Sequence, residues 1–156
     1  MTPRKELFIK IKQVLDAIPQ LEYIDLHRNQ FDDQSFPDSM VSALIKINKI
    51  DWQNMPEQSQ EGNTTIDIVL YCRDGWMDQH NGTTDAGHGL NEIDLLDTIA
   101  AKLQSLKGDY FGALHHMDDE TEQQDMKGIF VYRQSFSCNL YRKLAPKYQP
   151  KTITIL

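Results

Sequence analysis

The sequence predicts an α+β protein: an antiparallel sheet of four to five strands with two helices packed on one face, in the chain order α-β-β-β-α-β-β. Two observations predict it. Apolar residues recur at helical spacing in two segments, residues 3–18 and 90–106. Between and after them, apolar residues recur at every second position, which is typical of half-buried strands. Elements in this order pack as two layers, with both helices covering one side of the sheet.

Both helices carry recognisable end signals. In the first, Thr2 stands where an N-cap belongs, and Pro19 ends the apolar pattern of residues 3–18. The second, over residues 90–106, is followed by Gly108, a residue common just beyond helix ends. We therefore expect one amphipathic helix at the start of the chain and another past its middle.

The strands are predicted from alternation and from β-branched and aromatic residues. They fall at residues 21–26, 41–47, 66–72, 113–116 and 127–141. The polar stretches between them are expected to be connections: residues 28–39, 54–63, 73–89 and 118–122. With 156 residues and no linker or repeat, the chain is expected to form a single domain over residues 1–145, followed by a C-terminal extension, 146–156.

Charge is unevenly distributed along the chain. The net charge is -7, from 16 Lys and Arg against 23 Asp and Glu, yet both ends of the chain are basic. An acidic body repels phosphate, so sequence-specific nucleic-acid binding is not expected. No apolar run is long enough for a membrane span, and the first residues lack a secretion signal, so we expect a cytoplasmic protein without a membrane partner.

Histidines and an aspartate in the glycine-rich loop are the candidates for a metal site. His80, Asp85 and His88 could be joined by His115 and His116, since zinc and iron sites need imidazoles and a carboxylate at one point. No pair shows the i, i+4 spacing that fixes ligands on one helix face. Hydrated loops collect these residue types without binding metal, so no metal, cofactor or catalytic residue is expected.

Neither the cysteines nor the acidic run indicates catalysis or calcium binding. Cys72 and Cys138 are too few for a disulfide scaffold, and both fall on inward-facing strand positions, where burial makes a thiol inert. The acidic run at 118–122 lacks the glycine and the terminal glutamate of a calcium loop. We interpret this run as a solvated turn.

Large apolar side chains in polar segments are the candidate contacts with a partner. Phe31 and Phe36 lie in the first long connection, and Trp76 and Met77 lie in the glycine-rich loop. Aromatic and methionine side chains favour interfaces because they desolvate much area with few rotors. These four either fold back onto the core or contact a partner, and the sequence leaves both interpretations open.

Two further features favour self-association. Val69, Tyr71, Ile129 and Val131 have the parity that points away from the helices, and a soluble monomer seldom exposes such a patch. The tail, with Ile153 and Ile155 in a Thr-Ile-Thr-Ile-Leu run, could pair with its own sheet or add an exchanged edge strand to a neighbour's. We favour the second arrangement.

The order, length and character of these elements resemble the small tail-terminator and tail-completion (head-tail joining) proteins of long-tailed bacteriophages and prophages. The features that carry the resemblance span nearly the whole chain, although the loop before the second helix and the C-terminal extension are longer than that pattern. They are the first helix ending at Pro19, Asp25-Leu26-His27-Arg28 leading into a polar loop, Pro37 ahead of residues 41–47, the 66–72 strand, the glycine-rich loop, the 90–106 helix and the 130–140 strand.

The resemblance implies a non-enzymatic virion structural protein. Such a protein forms a ring, typically a hexamer, that caps the tail tube and joins it to the head connector, first in the bacterial host cytoplasm and then in the virion. Tail-tube and head-connector proteins would be its partners. Two other functions stay open: a small metal-dependent enzyme that uses the loop histidines, and an adaptor module that binds one protein.

Overall fold

The computed structural model describes residues 1–31, 41–73, 80–82, 84–122, 128–144 and 155. These residues contain two helices and six strands, so the α+β class is confirmed. A short 3-10 turn, Pro56–Gln58, joins the third strand to the fourth. The elements are α1 (Pro3–Asp16), β1 (Tyr23–Leu26), β2 (Val41–Ile47), β3 (Asp51–Met55), β4 (Ser59–Arg73), α2 (Asn91–Leu103), β5 (His115–Glu122) and β6 (Ile129–Lys143).

The strands form one mixed sheet, in which the order from edge to edge is β1-β2-β4-β6-β5. β3 lies off this path and pairs with the first residues of β4. The prediction of a purely antiparallel sheet of four to five strands is wrong in number and in one pairing, because β1 runs parallel to β2. A parallel pair needs a long crossover, and residues 27–40 are enough for one.

Two segments predicted to be connections are strands. Residues 54–63, predicted to be a polar loop, contain the end of β3, a tight turn with Glu57 and Gln58 at positive φ, and the start of β4. Residues 118–122, predicted to be an acidic turn, belong to β5. β3 and β5 expose most of their side chains, so neither shows the alternation of apolar and polar residues that identifies a half-buried strand.

Both helices pack on one face of the sheet, as predicted. Thr2 Oγ1 accepts a hydrogen bond from the Lys5 amide at 3.4 Å, and α1 ends at Asp16, before Pro19. No helix among the described residues is both long enough and apolar enough to cross a membrane. The main core lies between the helices and the sheet, and its largest members are Phe111, Phe136, Leu7, Ile11, Leu15, Ile45, Ile66, Ile68, Leu70 and Ile99.

The opposite face of the sheet carries a second, smaller core. Its members are buried by the chain itself: Phe31, Leu44, Val69, Tyr71 and Val131, with Tyr23 and Ile129 packed beside them. The expectation that this patch stays uncovered is therefore wrong. Phe31, from the segment after β1, lies over the face, where its ring meets Tyr71 edge to face at a centroid distance of 4.7 Å.

Candidate functional site

The two cysteines are unsuited to nucleophilic catalysis. Cys72 and Cys138 are both buried and unbridged. Burial raises the pKa of each thiol to about 12, and the charge of Glu92 adds to the effect at Cys72. A thiol that stays protonated at neutral pH is a poor nucleophile. The prediction that both cysteines are buried on the core side is confirmed.

The side chain of His80 bonds to the backbone of the same loop. His80 Nδ1 lies 2.6 Å from the carbonyl oxygen of His88, and Asp85 accepts a hydrogen bond from the Gly87 amide at 3.0 Å. His116 pairs instead with a β5 carboxylate, Asp119 Oδ1, at 2.7 Å. Across the described ranges, no three His, Cys, Asp or Glu side chains are grouped to hold a metal ion.

Of the six residues predicted to contact a partner, the structure describes two. Phe31, 2% exposed, belongs to the second core and offers no surface to a partner. Ile155, 91% exposed, is the described residue of the C-terminal extension. The other four, Phe36, Trp76, Met77 and Ile153, lie outside the described residues.

An acidic cluster surrounds one arginine on the face of the sheet away from the helices. Arg133, on β6, contacts four carboxylates at once. Asp67 and Asp118 lie 3.6 and 3.7 Å from its Nη1, Glu122 lies 3.4 Å from its Nε, and Glu120 bonds its Nη2. The hydrogen bond with Glu120 raises the pKa of Arg133. One guanidinium among four carboxylates leaves three negative charges uncompensated.

Hydrogen bonds fix the position of Asp67, the member of this cluster that lies on β4. Asp67, on β4, accepts one bond from Ser135 Oγ at 2.6 Å and another from Asn48 Nδ2 at 2.9 Å. Asn48 also donates to Thr65 Oγ1 at 3.0 Å. The cluster is thus fixed on its β4 side, while the carboxylates of Asp118 and Glu120 on β5 are mostly exposed.

A basic groove lies at the other end of the sheet. Its volume is about 660 Å³, between the start of α1 and the end of β1. Four cationic side chains line it, and the one carboxylate in the lining, Asp25, accepts hydrogen bonds from Tyr23 Oη and the Leu26 amide. The cationic residues are Arg4, Lys5, Arg28 and Lys46.

The groove extends from β1 to Lys46 on β2, and the acidic cluster extends from β5 to Asp67 on β4, where Asp67 pairs in register with Lys46. β1, beside the groove, is the first strand of the sheet, and β5, which carries the acidic run, is the last. Four strand spacings separate them, which is about 19 Å. The chemistry of these surfaces is suited to electrostatic docking.

No protein-family model matches the chain, and no curated protein matches its sequence.

Sequence reasoning found the acidic run and missed the cluster. The spacing of Asp118, Glu120 and Glu122 at every second position was the available signal, since it places three carboxylates on one side of a strand. Nothing in the sequence around Arg133 indicates that its side chain contacts these carboxylates. It reaches the carboxylates because β5 and β6 pair with Glu120 opposite Arg133.

Proposed function

We propose that the protein is a non-enzymatic structural protein of a phage or prophage. In this role it assembles as a ring, with a hexamer favoured, caps the tail tube and joins it to the head connector. The resemblance in element order and character supports this proposal. The physical support comes from the two edges of the sheet.

The observation that carries the proposal is that, among the described residues, neither edge strand of the sheet is paired on its outer side. Within the described ranges, β1 pairs only with β2, and β5 pairs only with β6. An open edge presents unpaired backbone groups that another chain can cover. A head-to-tail ring needs two different surfaces on each subunit, and the two unlike edges supply them.

The charge of the chain is compatible with a channel for DNA. At -7 per subunit, a ring would carry several tens of negative charges. Double-stranded DNA is densely negative, so an acidic wall repels it rather than holding it. DNA could pass through such a ring without binding to it.

Exposed apolar side chains offer a surface to the tube or connector. β3 and the facing ends of β4 and β6 form a three-stranded ribbon. Met55, Tyr141 and Leu144 are each more than 40% exposed on this ribbon. Apolar groups of this size favour protein interfaces over solvent.

The direct test is the length of tail tubes assembled with and without the protein. The tail-tube protein encoded beside its gene would be polymerised in both conditions and imaged by negative-stain electron microscopy. We expect ring-shaped densities at one tube end and arrested growth when the protein is present. A variant with one charge reversed at an exposed position of α2, Lys102→Glu, should also arrest growth.

Two results would contradict the proposal. One is a gene neighbourhood without tail-tube or connector genes. The other is tubes that grow to the same lengths with and without the protein and carry no end density. A monomer that ignores tubes and retains one host protein in a pull-down would instead support the adaptor function.

A further inference from the structure

We infer that the basic groove of one subunit receives the acidic edge strand of a second copy of this chain. The inference rests on the proposed ring and names the surfaces that would close it. The groove lies between α1 and the end of β1, and its occupant is β5 of the neighbour, His115–Glu122. The contact is heterologous, because two different surfaces meet.

The groove has the form of a docking site. Phe8, Leu26 and Ile47 give it apolar walls, and all three are partly buried. The side chains of Arg28 and Lys46 line the groove and are exposed. No ion pair joins either of them to another described residue. An apolar groove with exposed cations at its rim fits an extended acidic segment.

The opposite edge supplies such a segment. β5 is extended, is hydrogen-bonded on one side by β6, and carries acidic side chains at 118–120 and 122. Asp118 and Glu120 expose 59% and 61% of their side chains. Arg133 neutralises one charge of the four carboxylates around it, so the edge keeps an acidic excess for an outside cation.

Charge complementarity selects a second copy as the occupant. Two β5 edges repel one another, as do two grooves, so the favourable contact joins an edge to a groove. Polyanionic nucleic acid is a poorer occupant, because the whole chain, groove included, carries a net charge of -7 and the charge on nucleic acid is denser than that on a protein strand. Since β5 is one edge strand of the sheet and the groove lies beside the other, β1, each subunit can engage two neighbours at once.

Two charge-reversed variants of the full chain test the contact. The groove variant, Arg28→Glu with Lys46→Glu, makes the groove acidic, and the edge variant, Glu120→Lys with Glu122→Lys, makes the edge basic. Each variant alone should self-associate at least about tenfold more weakly than the unmodified chain, because like charges then face each other. Lys102→Glu with Lys107→Glu, at two exposed positions in and just after α2, reverses two positive charges as the groove variant does, and this control should associate normally.

Mixing the two variants is the decisive measurement. In an equimolar mixture, every groove can meet an edge of opposite charge if the two chains alternate around the assembly. Light scattering and sedimentation should therefore show the mixture recovering the mass of the unmodified assembly. Raising salt from about 0.05 M to about 0.5 M should weaken association in the unmodified chain and in the mixture.

The outcomes separate this inference from the proposed function. It is overturned if the unmodified chain is monomeric at all concentrations, if either variant alone associates as well as the control, or if the mixture fails to recover while both variants unfold at the normal temperature. Groove and edge variants that still cap tail tubes would overturn the contact and leave the proposed function standing. If the mixture regains the mass of the unmodified assembly but the protein does not change the length of tail tubes, the contact is supported and the proposed function is contradicted.

Discussion

Gly108 lies directly against Glu6. A Cβ atom at Gly108 would come within 2.5 Å of Glu6 Oε1 and 2.4 Å of the Phe111 ring. This closeness lets the buried Glu6 carboxylate accept hydrogen bonds from the amides of Asp109 and Tyr110 at 2.7 and 2.8 Å. One carboxylate on α1 thereby fixes the connection that leads from α2 to β5.

Replacing this glycine should loosen that connection. Gly108→Ala is expected to lower the free energy of unfolding by about 1 to 3 kcal/mol, because the added methyl group displaces Phe111 or the carboxylate. Urea denaturation measures the change. Gly87→Ala is the matched control: the nearest atom to its added methyl lies 3.7 Å away, so stability should change by less than about 0.5 kcal/mol. Equal effects of the two substitutions would contradict the proposed crowding.

Phe31 should behave as a core residue. Phe31→Ala is expected to lower the free energy of unfolding by about 3 to 5 kcal/mol, because the ring is buried against Tyr71 and Tyr23. Phe130→Ala, at a position 48% exposed, is the matched control and should cost much less. Thermal and urea unfolding compare the two. A Phe31 variant as stable as the unmodified chain, yet defective in assembly, would restore Phe31 as a partner contact.

The buried thiols should make stability depend on pH in the alkaline range. Burial raises the pKa of Cys72 and Cys138 from 9.0 to about 12 in the folded chain. Because the folded chain holds these protons more tightly, their contribution to stability is complete below about pH 9 and is lost as the pH rises through about 12. The free energy of unfolding in urea at about pH 8 and about pH 10.5 measures the loss.

The double variant Cys72→Ala with Cys138→Ala provides the comparison for that measurement. Other groups titrate in the same range, so the informative quantity is the difference between the two pH dependences. The variant is expected to lose less stability over this range than the unmodified chain. Identical losses would show that the thiols ionise as readily in the folded chain as in the unfolded one.

The C-terminal extension should be dispensable for the fold. The buried hydrophobic residues among those described lie between Leu7 and Leu140, and Ile155 is almost fully exposed. A chain ending at residue 145 is therefore expected to unfold within a few degrees of the full chain, measured by circular dichroism. If the tail is an exchanged strand, the shortened chain should also associate more weakly. A large fall in the unfolding temperature would contradict the division at residue 145.

Burial explains which elements the sequence predicts and which it does not. β2 up to Ile45 and β4 from Ile66 to Cys72 are buried on both faces, and their high content of apolar and β-branched residues identifies them as strands. β3 and β5 are mostly exposed on both faces, and although Trp52 packs against the main core and His116 stacks on Phe136, neither strand shows an alternation of apolar residues. The acidic cluster escapes prediction for a related reason: its arginine and carboxylates meet through strand register, which local sequence does not encode.

The arginine of that cluster should stabilise the sheet mainly by cancelling repulsion. Arg133→Met leaves four carboxylates together without a cation, so the free energy of unfolding should fall by about 1 to 3 kcal/mol at low salt. Added salt screens the carboxylates from one another, so most of the loss should be recovered at about 1 M salt. Urea unfolding at several salt concentrations measures this recovery.

Arg142→Met is the matched control on the same strand. Arg142 lies 3.8 Å above the Trp52 ring and donates to Gln60 Oε1, so its removal exposes no group of like charges. Its loss of stability should therefore change little with salt. If both variants respond to salt in the same way, the carboxylates around Arg133 do not repel one another enough to matter, and the acidic edge is held by its backbone ladder alone.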